Sequence, residues 1–316
     1  MKTVPLGNTG MSINPLIFGT LPLGPLQANL SPAEGGALIR HAVEAGVTLL
    51  DTAELYGTYP HIREGLTGFS GEVFIASKTH AVTAADARSH VEKALQELKR
   101  ERLDIVHIHG ARVADPFTER PEVIEELLTM KQEGKVAHVG LSSHYIAAFR
   151  AAAGHPEIEV IHPLINRIGM GILDGSAAEM AETIASCAKN GKGVYAMKAL
   201  AGGNLISEAR ASIRYVMQLP GVDGLALGML SREEIDANLI LCSYGEADEE
   251  TWKQLEKRRR KFMIIEKFCT GCGVCLDACT ADALVLQNGV AQVKEQECIL
   301  CGYCAAACPE FLIRVV

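Results

Sequence analysis

From residue 1 to about 242, short β-branched or apolar runs alternate with amphipathic stretches. The runs that read as strands are PLIFGT (15–20), VTLLD (47–51), VFIASK (73–78), LDIVHIH (103–109), VAHVGLS (136–142), VIHPLIN (160–166), GVYAMKA (193–199) and GLALGML (224–230). Between them, SPAEGGALIRHAVEAG, TAADARSHVEKALQELKR, RPEVIEELLTMKQEGK, SAAEMAETIASCAKNGK and SREEIDANLILC place apolar residues at i, i+3 and i+4 with polar opposite faces, the helical signature. Ser or Thr at a stretch's start with Glu or Asp three residues on, as at Ser31 and Glu34, suits a helix N-terminus. Eight strands each followed by a helix, in about 240 residues, predict a (β/α)8 barrel. A doubly wound sheet is the alternative, but no G-x-G-x-x-G follows the first strand. An N-terminal hairpin, KTVPL turning through GNTGM to SINPL, is expected to close the barrel's bottom.

The pattern changes after residue 242. Residues 243–262 are highly charged with helical character, and 263–316 carry eight cysteines and an internal repeat aligning CTGCGVCLDACTADAL with CILCGYCAAACPEFLI. The expected organisation is therefore a barrel over 1–242, a charged helical linker over 243–262 and a small cysteine-rich α+β domain over 263–316. The linker's run Lys257-Arg258-Arg259-Arg260-Lys261 is read as holding the small domain, attracting an acidic electron carrier, or forming a solvated helix face.

Composition narrows the class. A chain of 316 residues with 48% hydrophobic and 5% aromatic residues fits an α/β enzyme with a sizeable core. A net charge of −8 argues against general nucleic-acid binding, which needs a basic excess. No apolar run approaches the roughly 18 residues that span a bilayer, and MKTVPLGN lacks the apolar region of a signal peptide, so a cytoplasmic protein is expected. In a reducing cytoplasm, clustered cysteines read as metal ligands before disulfides.

The cysteine spacing is C-x2-C-x2-C-x3-C twice: Cys269, Cys272, Cys275 and Cys279, then Cys298, Cys301, Cys304 and Cys308. Three closely spaced thiolates can wrap one corner of a cubane while the following helix carries the fourth toward a second cluster. That assigns Cys269, Cys272, Cys275 and Cys308 to one [4Fe–4S] cluster and Cys298, Cys301, Cys304 and Cys279 to the other. Structural zinc sites space their ligand pairs farther apart. The segment resembles the bacterial-type two-cluster ferredoxins, with Thr280 where that family usually has Pro. Exposed clusters would be oxygen-labile, which suggests an anaerobic source. Cys187 and Cys242 lie in barrel helices and read as buried small hydrophobes.

Active sites of such barrels lie at the carboxyl ends of the strands. Asp51, Tyr56, Lys78 and His109 fall there. An ammonium near a phenol lowers its pKa, so Lys78, held by Asp51, is expected to act on Tyr56, with His109 orienting a carbonyl oxygen or sharing the proton relay. Each alone has a bland reading as a solvated charge or satisfied polar group. His107, two residues before His109, is expected to pack or hydrogen-bond lower in the barrel, and His80, His144 and His162, near other strand ends, read either as touching substrate or cofactor or as solvent-facing loop residues.

DTAELYG (51–57), ASK (76–78) and DIVHIH (104–109) resemble the Asp, Tyr, Lys and His motifs of the aldo/keto reductases, and the likeness extends through GLSS (140–143), IN (165–166), MKALAGGNL (197–205) and GMLSREEIDANL (228–239). The resemblance implies hydride transfer between bound NAD(P)H and a carbonyl carbon, with Tyr56 giving the proton, or the reverse oxidation of an alcohol. It further implies that Gly19, Thr20, Ser142, Ser143 and Asn166 surround the nicotinamide and ribose and that Asn238 reaches the adenine. His162 stands where the family often has Gln. Gly228 and Glu234 stand where a Lys and an Arg usually hold the 2′-phosphate of NADPH, and Ala237 replaces a common acid. An acid facing phosphate is unfavourable, and although Arg232 is placed to compensate, the expectation tips toward NADH.

A nicotinamide exchanges two electrons as hydride, whereas each cluster passes one. The first reading is therefore an NAD(P)H-dependent carbonyl reductase acting on a small carbonyl or alcohol, whose clusters exchange electrons with ferredoxin or another carrier, or sense redox state. Two others stand beside it: a flavin-linked electron-transfer protein, for which no flavin motif is visible, and a non-catalytic nucleotide-binding sensor.

Overall fold

The computed structural model describes residues 2–310 and 312–315. Its centre is a closed ring of eight parallel strands, β3 (Leu16–Gly19), β4 (Leu49–Asp51), β5 (Phe74–Thr79), β6 (Leu103–Gly110), β7 (Val136–Ser143), β8 (Val160–Pro163), β9 (Gly193–Met197) and β10 (Gly224–Gly228). The hairpin β1 (Val4–Pro5) and β2 (Ser12–Ile13) precedes it. Strand β10 pairs with β3, Leu225 opposite Leu16, which closes the ring and leaves no sheet edge to aggregate. All eight strands read from the alternating pattern are present, and the fold is the (β/α)8 barrel.

Helices ring the strands: α1 (Pro32–Glu44), α2 (Tyr59–Leu66), α3 (Ala84–Leu98), α4 (Pro116–Glu119), α5 (Pro121–Gln132), α6 (Ile146–Ala153), α7 (Ala177–Lys189), α8 (Ala209–Met217) and α9 (Arg232–Tyr244). Ser31 and Ser176 begin α1 and α7 with full capping boxes to Glu34 and Glu179, which satisfies backbone N–H groups that a helix leaves orphaned. The barrel's large apolar cluster lies between strands and helices. A smaller one fills its lower interior, where Leu6, Met11 and Ile13 of the hairpin meet Ile17, Leu49, Ile105, Val160 and Tyr195. The hairpin thus plugs the bottom.

The charged segment 243–262 contains α10 (Glu249–Leu255), and its Trp252 and Leu255 are buried in the barrel's main apolar cluster. Beyond it lie β11 (Phe262–Ile264), α11 (Val274–Asp277), β12 (Leu284–Gln287), β13 (Val290–Val293), α12 (Tyr303–Ala307) and β14 (Ile313–Val315). Strand β11 pairs antiparallel with β14, and β12 with β13, around a core made largely of cysteine, alanine and isoleucine. This small α+β unit sits on the barrel's upper face. Among the described residues no helix is long and apolar enough to cross a membrane.

Candidate active site

Strand β4 ends at Asp51 and β5 carries Lys78, so adjacent parallel strands bring the two side by side at the barrel's upper end. The Lys78 ammonium donates to Asp51 Oδ1 at 2.6 Å and to the Thr52 carbonyl at 2.8 Å, with both side chains almost wholly buried. Burial pulls Lys78 below its ordinary pKa, and the Asp51 carboxylate works in the opposite direction. Tyr195 on β9 donates to the second Asp51 oxygen at 2.9 Å. Because its proton is committed there, Tyr195 accepts from His107 Nε2 at 2.6 Å, which fixes the tautomer and leaves His107 Nδ1 without a partner. His162 donates from Nδ1 to the Tyr195 carbonyl at 2.7 Å, and its other ring nitrogen lies 3.8 Å from Asp51. Asp51 is thus the hub of a buried polar network. Tyr195 is one member that sequence pattern does not single out, since it reads as an ordinary aromatic strand residue.

Tyr56 ends a short 3-10 turn after β4, and His109 lies near the end of β6. Lys78 Nζ is 5.0 Å from the centre of the Tyr56 ring, and the Tyr56 and His109 rings meet edge-on at 5.9 Å. The structure therefore brings Asp51, Tyr56, Lys78 and His109 together. The Tyr56 pKa does not fall as the sequence suggests. Burial first, then Tyr303 and Asp51, push the phenol well above its usual range, because Asp51 already neutralises the lysine whose field would lower it. Burial, reinforced by Lys78, holds His109 well below the ordinary imidazole range. At neutral pH the pair is a protonated phenol beside a neutral imidazole.

A groove of about 1200 Å³ runs outward from Asp51, Tyr56 and His162, past Met197–Leu200 and Gly202–Gly203, to Glu234, Asn238 and Trp252. Of the residues expected at a cofactor, Gly19, Gly228 and Asn238 line it. The others lie elsewhere or are engaged. Thr20 hydrogen-bonds the Asp51 carbonyl and Thr58, Ser143 bonds Val113 and Tyr145, and Asn166 accepts from the amides of Ile168 and Met170. Ser142 is buried in β7 outside the groove lining, and Arg232 is exposed at the start of α9. The cations at the groove instead include Arg258 and Arg260, from the segment that reads as a linker, and Lys198. Arg258 pairs with Glu234, so that acid does not face the groove alone. Among the described residues no carboxylate pairs with Lys198 or Arg260 within salt-bridge distance; Arg260 contacts the Gly202 carbonyl and Gln27.

Two buried atoms in the groove wall have no hydrogen-bond partner: Asn238 Oδ1, an acceptor, and Trp252 Nε1, a donor. Buried polar atoms are normally paired, so an orphaned acceptor and donor in one groove mark a place for a ligand with complementary edges. An adenine base, with an exocyclic amine beside a ring nitrogen, has such an edge, and Lys198 and Arg260, neither within salt-bridge distance of a carboxylate among the described residues, suit the phosphates of a dinucleotide. The groove fits the cofactor that the sequence implies.

The cysteines fall into the two expected sets. Cys269, Cys272, Cys275 and Cys308 line one cavity, and Cys279, Cys298, Cys301 and Cys304 line another. Backbone amides donate to sulfur in both, Ala291 to Cys269, Leu312 to Cys308 and Ala283 to Cys279, an arrangement that favours thiolate and a bound cubane. Cys187 and Cys242 are buried and pushed up to about 11 and about 12, which makes them inert thiols.

The second set sits directly on the barrel. Asn204 donates to the Cys298 carbonyl at 2.7 Å and Gln27 to the Cys301 carbonyl at 3.3 Å. Ile299 and Cys301 share an apolar cluster with Leu164, Met197 and Met170. Tyr303, between Cys301 and Cys304, reaches down to the barrel site, its hydroxyl 3.2 Å from His109 Nε2 and its ring packed in one cluster with Leu26, Ala53 and Tyr56.

Residues 15–210 match the model of the aldo/keto reductase family, and 261–309 match that of a 4Fe-4S dicluster domain. A curated relative, L-galactose dehydrogenase of Arabidopsis thaliana, is 23% identical over 215 residues, which span 64% of this chain and 66% of that protein's length. A solved structure assigned to the aldo-keto reductases, from Pseudomonas aeruginosa, superposes with a TM-score of 0.66 at 28% identity, covering 76% of this chain and 94% of its own. An aldo-keto reductase from Bacillus halodurans shares the fold with a TM-score of 0.64 at 20% identity, over 81% and 95% of the two chains.

Proposed function

Since this chain belongs to the aldo/keto reductase family and carries a 4Fe-4S dicluster domain after its barrel, we propose that it is an NAD(P)H-dependent oxidoreductase interconverting a small carbonyl compound and its alcohol. The observation that carries the reading is the meeting of Asp51, Lys78, Tyr56 and His109 at the inner end of a groove whose outer wall holds unpaired Asn238 Oδ1 and Trp252 Nε1.

When bound, NAD(P)H supplies the hydride. Gly19 and Gly228 give it a smooth wall, Asn238 and Trp252 take the adenine edge, and Lys198 and Arg260 take the phosphates. Tyr56, protonated at neutral pH, gives its proton to the carbonyl oxygen, and neutral His109 fixes that oxygen from the other side. The phenolate left on Tyr56 faces the Lys78 ammonium, 5.0 Å from the ring centre, whose charge Asp51 partly offsets while holding it in place. In the oxidative direction the same phenolate takes the alcohol proton. Tyr195, His107 and His162 orient Asp51. NADH is the expected partner over NADPH, because Arg258 is committed to Glu234 and a carboxylate beside a 2′-phosphate is unfavourable. Cys269, Cys272, Cys275 and Cys308 would hold one [4Fe–4S] cluster and Cys279, Cys298, Cys301 and Cys304 the other, and these would supply one-electron exchange with a carrier such as ferredoxin, or redox sensing.

Anaerobically reconstituted protein mixed with NADH and a panel of aldehydes, L-galactose included because a relative is named for it, should oxidise NADH in a carbonyl-dependent way and bind NADH more tightly than NADPH. Tyr56→Phe should lose at least about 100-fold in rate. Absence of turnover with every carbonyl would overturn the reading. A second reading, flavin-linked electron transfer, is favoured by one observation: Leu300, inside the second cysteine motif, lines the groove, so a bound group there lies beside a one-electron centre. Yellow colour released on acid denaturation would support it, and a colourless supernatant would remove it.

A further inference from the structure

Tyr303 belongs to the small domain's second cysteine motif, yet its phenol is in the barrel's site. Its hydroxyl lies 3.2 Å from His109 Nε2, and the rings meet edge-on with centroids 6.2 Å apart. Tyr303 also packs with Leu26, Ala53 and Tyr56 in one small apolar cluster, so its phenol adjoins Tyr56 as well as His109. Tyr56 and His109 are the two groups that would hold a carbonyl oxygen. The Tyr303 hydroxyl stands at His109 and beside Tyr56, the place that oxygen would take.

The loop that delivers it is fitted closely to the barrel. Gly302 has φ +85°, and a Cβ there would meet the Leu26 carbonyl oxygen at 2.4 Å. A Cβ on Gly202 would lie 1.5 Å from the Ile299 carbonyl oxygen, so the two loops touch backbone to backbone. Gln27 and Asn204 tie down the carbonyls of Cys301 and Cys298, and Leu26, Ala53 and Leu21 enclose the phenol. Tyr303 does not line the nucleotide groove. A nucleotide therefore has room while the carbonyl position is taken.

We propose that Tyr303 is a specificity-determining residue of the barrel site: its hydroxyl fills the position of the substrate oxygen, and a carbonyl compound binds only by displacing it. The dicluster domain then decides which substrates reach Tyr56, favouring those whose binding outweighs the His109 hydrogen bond and the enclosed phenol. This inference rests on the carbonyl-reductase reading above, and its test separates the two.

The test compares the reconstituted full-length protein with Tyr303→Phe, which keeps the ring, and Tyr303→Ala, which opens the position, after iron content and absorption spectrum confirm that both clusters are intact. Steady-state kinetics with a small aldehyde should give a KM at least about tenfold lower for Tyr303→Ala, an intermediate fall for Tyr303→Phe, and NADH binding within twofold of the parent. Fluorine-detected binding of 4-fluorobenzaldehyde should tighten in the same order. A fall in kcat at constant KM would overturn the proposal and make Tyr303 part of the proton relay. Equal aldehyde affinity in all three proteins would also overturn it. Absence of turnover in every protein, with aldehyde binding still tightened by the substitutions, would leave Tyr303 as gate and refute the reductase reading alone.

Discussion

At the scale of single residues, protonation is governed by burial more than by neighbouring charge. Lys78 stands near Tyr56, but its charge is matched by Asp51 at 2.6 Å, so desolvation dominates and the phenol stays protonated. A proton donor must hold its proton and His109 must stay neutral. The first condition fails only above the ordinary phenol range and the second only below the ordinary imidazole range, since the one pKa is raised and the other lowered. Carbonyl reduction should therefore be flat from about pH 6.5 to about pH 10. A pH–rate profile with a limb near neutrality would place one of these groups in a different electrostatic setting. The four residue types and their strand ends are legible in the sequence; the direction of the Tyr56 shift is not, because it depends on how completely the surrounding chain excludes water.

At the scale of elements, strong periodicity carries through. The stretches over 31–46, 83–100 and 176–192 become α1, α3 and α7, with Ser31, Thr83 and Ser176 as caps. Helices α2, α6 and α8 follow their strands with only eight or nine residues each, too short for a clear repeat. Helix α2 is held by tight contact with α1, where a Cβ on Gly65 would come within 2.8 Å of Ile39, and a pair of glycines spaced across two helices has no local signature. Helix α10 is the most consequential case. Its surroundings are charged, yet Trp252 is 2% exposed and its indole N–H is an unpaired donor in the groove wall. Trp252→Phe should weaken NADH binding about tenfold by leaving a base nitrogen unpaired, while the clusters stay intact. Calorimetric titration checks this, and unchanged affinity would show that the indole N–H faces no ligand atom.

For the whole molecule, the barrel and the dicluster domain form one site and not two linked devices. Contacts of Asn204, Gln27 and Arg112 with Cys298, Cys301 and Asp282 seat the small domain on the mouth of the barrel. The cysteine sets nevertheless serve separate cavities, so loss of one ligand should be local. The intact protein should carry about eight irons per chain, and Cys272→Ser, at the exposed thiol of the first set, should reduce this toward about four. The second cluster's signal should persist under anaerobic reduction. Iron analysis with electron paramagnetic resonance checks both, and loss of all iron would mean that the two cubanes assemble as a unit.

What the sequence by itself determined is whatever repeats or is spaced locally: eight strand periods, the helical stripes, the doubled cysteine motif and four chemical residues at strand ends. Only the tertiary structure decided which distant segments meet. Tyr303 and His109 are separated by 194 positions, and Arg258 reaches Glu234 from beyond the last barrel helix. Such contacts are selected by the close fit of one folded surface on another, as where Gly302 and Gly202 bring backbone against backbone. No periodicity along a chain records that fit, because it arises only after each surface has formed.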